Sequence, residues 1–220
     1  MKLVLASGSQ RRRELLTMCG YDYEIIVSNA DETIDESDPE NFVRALSFRK
    51  AKEVFDRLFA AGRRDFAVIG SDTVVAFQKD GEAKPVIIGK PKDAEDAVRI
   101  LSMLSGKTHR VFTGVSVIAD IPDENAAAQC SIREKAEIQT ECSITEVTFE
   151  TLSPDEIADY VNSGDPLDKA GSYGIQGPFG MFVREIRGNY FTVIGMPIPV
   201  LYKMLKKIGI LPHGFYERIE

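Results

Sequence analysis

Apolar positions along the chain fall into short runs separated by turn residues and by longer stretches with helical spacing. Lys2–Ala6 is short and apolar, as a buried strand is, and Ser7-Gly8-Ser9 is a turn. Ser9 is placed to cap a helix over Gln10–Cys19, which Gly20 ends. Tyr23–Val27 predicts a second strand. Asp38-Pro39 is a cap followed by proline at the first helical position, and the helix runs to about Ala61. Val43, Phe48, Ala51, Val54, Phe55, Leu58 and Phe59 cover about half of its wheel. Phe66–Gly70 and Val74–Phe77 are apolar runs on either side of Ser71-Asp72-Thr73, and Lys79–Glu82 is a turn.

The second half continues the alternation. Asp93–Ser105 predicts a helix with Ala97, Val98, Leu101 and Leu104 facing inward. Val111–Ala119 and Cys142–Leu152 predict long strands joined through a polar, alanine-rich excursion, Asp120–Gln129. Ser153-Pro154-Asp155-Glu156 has the form of a capping box. Phe179–Ile186 and Tyr190–Val193 read as a hairpin around Arg187-Gly188-Asn189, and Pro199–Ile208 as a closing amphipathic helix. With no repeat and no long linker, the pattern predicts a single α/β domain over 1–220 with a mixed sheet.

Composition narrows the function classes. The 220 residues carry a net charge of -7, which disfavours general binding to nucleic acid, because phosphate backbones select basic surfaces. No segment approaches the roughly 18 apolar residues that cross a membrane. Three cysteines, Cys19, Cys130 and Cys142, form no C-x-x-C pair, so a reducing, cytoplasmic setting is expected.

Against this acidic background, Arg11, Arg12 and Arg13 stand in the first turn of a helix. Each cation at the positive end of the helix dipole costs roughly 0.3–1 kcal/mol when exposed. A bound phosphate offsets that cost: small residues let backbone N–H groups approach an anion, serine hydroxyls donate, and arginine forks match phosphate oxygens. Three successive residues span about 200° of the wheel, so they cannot all face one ligand. Arg13 is expected to face solvent or an acid.

Asp72 lies within an apolar run, where a carboxylate needs a partner, a metal or a raised pKa; an Asx turn at a strand break is the alternative. Gly89-Lys90-Pro91 is a rigid turn presenting one lysine. "DKAGSYGIQG" has glycine-bounded turns around Tyr173, flanked by Lys169 and Gln176, able to approach a planar ligand. Glu32 is the best metal candidate in the acidic loop Asp31–Asp38, while Lys50 and Lys52 sit at opposite rims of the long helix and the wheel favours neither. Ser7 and Ser9 lack a histidine partner signal, and neither His109, His213 nor any cysteine shows activation.

Together the stretches "LASGSQRRRELL", Asp31-Glu32, "LSFRKA", "IGSDTVV", "GKPKDAEDAVRILSMLSGKTHRVFTGV", "YVNSGDPLDKAGSYGIQG" and "VIGMPI" resemble, in order, those of the Maf proteins, nucleoside triphosphate pyrophosphatases linked to septum formation. The resemblance implies an elongated α/β fold with a mixed central sheet and flanking helices. Two lobes would surround a substrate cleft, as in ITPase-like proteins. It implies hydrolysis of a nucleoside triphosphate to monophosphate and pyrophosphate with Mg²⁺ or Mn²⁺, and suggests a homodimer. On the family's motifs, Ser7, Ser9, Arg11, Arg12, Lys169 and Gln176 bind substrate, Lys50 and Lys90 are catalytic cations, and Asp72 and Glu32 are catalytic carboxylates sharing the metal. Gln10 departs from the family's usual proline. The absence of tryptophan together with Thr73 and "SYGIQG" resembles the dTTP/UTP type rather than the branch preferring 7-methyl-GTP. A nucleotide-binding regulator with little catalysis is the rival reading.

Overall fold

A computed structural model of the chain describes residues 1–78, 81, 84–121 and 136–214. β1 (Lys2–Leu5) leads into α1 (Gln10–Met18) and the two-residue β2 (Glu24–Ile25); α2 (Pro39–Ala60) then leads to β3 (Phe66–Phe77). β4 (Val86–Ile88), α3 (Ala94–Leu104), β5 (Thr108–Asp120), β6 (Ala136–Phe149) and α4 (Pro154–Asn162) follow. After three short 3₁₀ turns come β7 (Val183–Arg187), α5 (Tyr190–Ile194) and α6 (Ile198–Lys207). The strands form one sheet in the order β2-β1-β3-β5-β6-β7, with β4 added to β3. β1 is parallel to β2 and β3, and the other pairs are antiparallel, so the sheet is mixed as expected.

Three expectations change. Ser71-Asp72-Thr73 is not a break: β3 runs straight through it, with Asp72 paired to Gly114 and Thr73 to Thr113. The ten-pair ladder to β5, unbroken from Ala67 to Ala76, excludes the Asx turn. The second strand shrinks from Tyr23–Val27 to Glu24–Ile25. The hairpin around Gly188 is absent: residues 178–182 are a 3₁₀ turn before β7, and Tyr190–Val193 is helical. Asn189 caps that helix by accepting from Phe191 N, and Gly195 ends it at φ 107°. A four-residue apolar run fits a strand or a helical turn equally, and the Asn cap decides. The excursion beyond Ile121, most of the Lys79–Glu82 turn and Cys130 lie outside the described residues. The Ser153 capping box forms as read.

Helix α2 lies almost on the sheet backbone. A Cβ added to Gly70 would stand 2.2 Å from the Ser47 carbonyl oxygen, and one added to Gly114 would stand 2.2 Å from that of Val43. The Ser47 side chain, one turn on from Val43, shares a hydrogen bond of 3.0 Å with Ser116 of β5. The Gly114 position allows no relaxation, because the nearest atoms are backbone. A Gly114→Ala change is therefore expected to cost about 2 kcal/mol or more through overpacking. Urea denaturation checks this; an unchanged midpoint contradicts the close approach.

The opposite face of the sheet carries two apolar clusters. Leu3, Leu5, Ala67, Ile69, Val115 and Val117 pack against Leu16 of α1 and Leu201 and Leu205 of α6. Val75, Phe77, Val111, Val147 and Phe149 pack against Leu101 of α3 and Ile157 and Tyr160 of α4. Between them, on the same face, lie Ser71, whose hydroxyl is shared by the carbonyls of Gly114 and Gly195, and Thr73 and Thr113, which are hydrogen-bonded to each other, Thr113 also reaching the Thr192 carbonyl. The edge of β3 shows the same division. β1 covers it along Phe66–Ile69 and β4 along Val75–Phe77; among the described residues no strand pairs with Gly70–Val74 on that side.

In the second cluster, His109 is buried among Phe149 and Tyr173, and its Nε2 lies 3.0 Å from the Tyr173 hydroxyl. Burial lowers its pKa to about 3. The unfolded chain therefore takes up a proton near pH 6.5 that the folded chain refuses. Stability is present above that pH and lost as pH falls. The loss attributable to His109 is about 1.3 kcal/mol between pH 7 and 5.5. Denaturation of the wild type and a His109→Gln variant over this range measures it, and equal slopes in both contradict it.

Candidate active site

The turn after β1 builds the first wall. Ser7 Oγ accepts from Ser9 N at 3.2 Å and from Arg12 Nη1 at 3.3 Å. Ser9 occupies the N-cap of α1, yet its side chain makes no cap bond, and the first turn holds no acid. The expected Ser9 side-chain cap is thus absent; Ser9 meets Ser7 through its backbone N–H instead. The N–H groups of that turn are left to a ligand or water.

The three arginines diverge as the wheel requires. Arg12 lies over the gap in β3: Nε donates to the Gly195 carbonyl at 2.8 Å and Nη2 to Thr73 Oγ1 at 3.3 Å. Burial lowers its pKa, and the nearby Asp72 carboxylate opposes that shift. Arg11 reaches Asp168 at 3.4 Å. Arg13 is half-exposed and pairs with no acid among the described residues; its Nη2 donates to the Gly8 carbonyl at 2.7 Å and so braces the loop.

The second wall comes from α2. Lys50 Nζ lies 2.7 Å from Asp72 Oδ1 and 3.1 Å from Glu32 Oε1. Lys50 and Asp72 are each 12% exposed, whereas Glu32 is 64% exposed. Lys52, on the other rim, pairs with Asp56 of its own helix. Arg49 explains how the Glu32 loop is held: its Nη1 donates to the carbonyls of Asp31 and Thr33, both at 2.8 Å. Sequence reasoning missed Arg49, for which the only signal was adjacency to Lys50.

A third wall is formed by the glycine-rich segment. The Gly171 N–H donates to the Gly89 carbonyl at 3.0 Å, tying the Lys90 turn to the Lys169 loop. Lys169 Nζ donates to the Asp165 carbonyl, Asp165 Oδ1 and Asp168 Oδ1 at 2.6, 3.0 and 2.7 Å. Lys90 is exposed and makes no ion pair among the described residues. Gln176 is also exposed, without a hydrogen bond to the others. The structure therefore joins Ser7, Ser9 and Arg12 in one contact network, Glu32, Lys50 and Asp72 in a second, and Arg11 and Lys169 through Asp168 in a third. Asp165, Asp168 and the Gly195 carbonyl were not read from sequence.

Among the described residues no three His, Cys, Asp or Glu side chains are grouped to hold a metal. Asp72 and Glu32 nevertheless converge on one cation, Lys50. An all-oxygen pair of carboxylates suits Mg²⁺ or Mn²⁺, which take one or two carboxylates and complete their shell with water and phosphate. Neither described thiol is activated: burial raises the pKa of Cys19 and pushes that of Cys142 up to about 12. Cations around an uncapped helix start, beside a carboxylate pair, can bind a polyanion and activate water against it.

The family model for Maf-like proteins matches residues 2–208. The chain belongs to that family. A dTTP/UTP pyrophosphatase from Agathobacter rectalis is 41% identical over 217 residues, spanning 95% of this chain and 98% of the relative. One from Bacillus thuringiensis subsp. konkukian is 43% identical over 210 residues, spanning 95% and 96%. Among solved structures, the Staphylococcus aureus Ham1 protein superposes with a TM-score of 0.51 over 94% of this chain and 99% of its own, at 16% identity. That likeness shows the fold: mixed α/β, with a seven-stranded sheet flanked by helices.

The divergence of the arginines is testable. Arg12→Ala removes a cation and one contact each from Gly195, Ser7 and Thr73, whereas Arg13→Ala loses one bond to Gly8. Calorimetric titration with inorganic pyrophosphate is expected to show at least a tenfold greater loss of affinity in Arg12→Ala, on the scale of a charge-assisted contact. Equal losses contradict the division.

Proposed function

We propose that this chain is a nucleoside triphosphate pyrophosphatase that hydrolyses dTTP and UTP to the monophosphate and pyrophosphate. One observation carries the reading: a largely buried carboxylate, Asp72, is held by Lys50 at the uncovered edge of β3, beside the Arg12 guanidinium and Glu32. The names of the relatives supply the substrate class.

The reaction is an in-line displacement at the α-phosphate by water, with pyrophosphate as leaving group. Asp72 orients the water and accepts its proton, and Lys50 fixes the carboxylate that does so. Ser7, Ser9, the free N–H groups of α1 and Arg12 bind phosphate oxygens and neutralise charge developing in the transition state. Arg11, Lys90 and Lys169 stand around the same gap as further phosphate cations. Gln176 and the backbone of its loop read the pyrimidine edge. Asp72 and Glu32 would hold Mg²⁺ or Mn²⁺, which supplies further charge neutralisation when bound. The two apolar clusters are the cores of two lobes of one domain, and the gap between them is the substrate cleft. A homodimer in the cytoplasm, with a tie to septum formation, follows the family resemblance.

Asp72→Asn keeps the size of the side chain and removes the proton acceptor. Its rate of pyrophosphate release from dTTP is expected to fall roughly 10²–10⁴-fold, the scale of a positioned base, with an unchanged circular-dichroism spectrum. Near-normal turnover sinks the assignment. A wild type that binds dTTP but releases no pyrophosphate in the presence of Mg²⁺ favours the regulator.

A further inference from the structure

Lys169 has three N–H donors, and all three are used within its own loop. Two go to Asp165, whose carbonyl and Oδ1 accept at 2.6 and 3.0 Å. Asp165 is anchored: its Oδ2 accepts from the Tyr160 hydroxyl at 2.5 Å, and that hydroxyl also accepts from Gly174 N at 3.0 Å. The lysine stem is fixed as well, since a Cβ on Gly174 would meet its Cε at 2.6 Å. The third donor goes to Asp168, which is different in kind. Its side chain is 67% exposed, with one carboxylate oxygen on Lys169 at 2.7 Å and the other on Arg11 at 3.4 Å. Its carboxylate has no other hydrogen-bond or ion-pair partner among the described residues.

A phosphate that takes a donor of Lys169 must therefore displace one of its acceptors, and Asp168, which also neutralises Arg11, is the one that can leave. We propose that Asp168 is an internal stand-in for the polyphosphate tail: it neutralises Arg11 and Lys169 in the free enzyme, yields them to the substrate, and retakes them as pyrophosphate departs. The carboxylate thus sets the affinity for the tail and keeps the product from lingering. Its two contacts are exposed ion pairs of modest strength, which suits an exchangeable group and not a permanent clasp. The proposal rests on the pyrophosphatase reading for the ligand it names.

Asp168→Asn keeps the shape and removes the charge; Asp168→Ala removes both. Titration with inorganic pyrophosphate is expected to show binding tightened roughly threefold to tenfold in both variants, the scale of two exposed ion pairs. The KM for dTTP and the inhibition constant of pyrophosphate should fall with it. A merely structural role cannot tighten binding. Unchanged or weaker pyrophosphate binding in both variants overturns the proposal and makes Asp168 a scaffold or a direct ligand group. The wild type separates the two readings: release of pyrophosphate from dTTP without tightening in the variants fails Asp168 alone. Absence of that release fails the enzyme assignment, while the titration still decides on Asp168.

Discussion

The contact of α2 with the bare backbone of β3 and β5 is the constraint on which the rest depends. Two glycines on one sheet face, Gly70 and Gly114, let the helix carbonyls of Ser47 and Val43 come down onto the strands. At that height the Lys50 ammonium reaches Asp72, two residues along β3 on the same face as Gly70 and directly paired with Gly114. Side chains at those glycines would lift the helix and part the ions. A carboxylate left in a largely buried place without its cation costs several kcal/mol, so the small residues and the charged pair form one device.

The second consequence concerns the sheet edge. β1 ends at Leu5, opposite Ile69, and pairing with β4 begins only at Val75, so the middle of β3 faces outward between two apolar clusters. Polar side chains are tolerated there because neighbours satisfy them: Ser71 binds two carbonyls, and Thr73 meets Thr113 and Arg12. The carboxyl end of the parallel strand β1 opens onto the same place, where open α/β sheets gather their ligands. A positive site can thus exist in a chain of net charge -7, since binding depends on local rather than total charge.

Charge balance within the site follows one rule. The partly buried cations are matched by internal acceptors: Lys50 by Asp72 and Glu32, Lys169 by Asp165 and Asp168, and Arg12 by a carbonyl and two hydroxyls. The arginine run at the start of α1 is tolerable on the same terms. Each guanidinium turns to a different acceptor, so the dipole cost predicted for three stacked cations is spread over separate contacts.

The sequence by itself determined what depends on local pattern and on residue type. Helix α2 with its Asp38 cap, the capping box at Ser153 and the mixed α/β class follow from period, caps and proline, which act within a few residues. The site residue types were legible too, because carboxylates in apolar runs and cations at a helix start are locally unfavourable and call for a partner. Only the tertiary structure decided which partners those are. It carried β3 through Asp72, because a ladder to β5 forms across some forty residues of chain. It chose Lys50 over Lys52 by where α2 rests on the sheet. It set the Gly195 carbonyl, at the end of the helix that Asn189 caps, against Arg12. It also brought Asp168 to Arg11, 157 residues away. Such pairings arise from packing at long sequence separation, and no local periodicity records them.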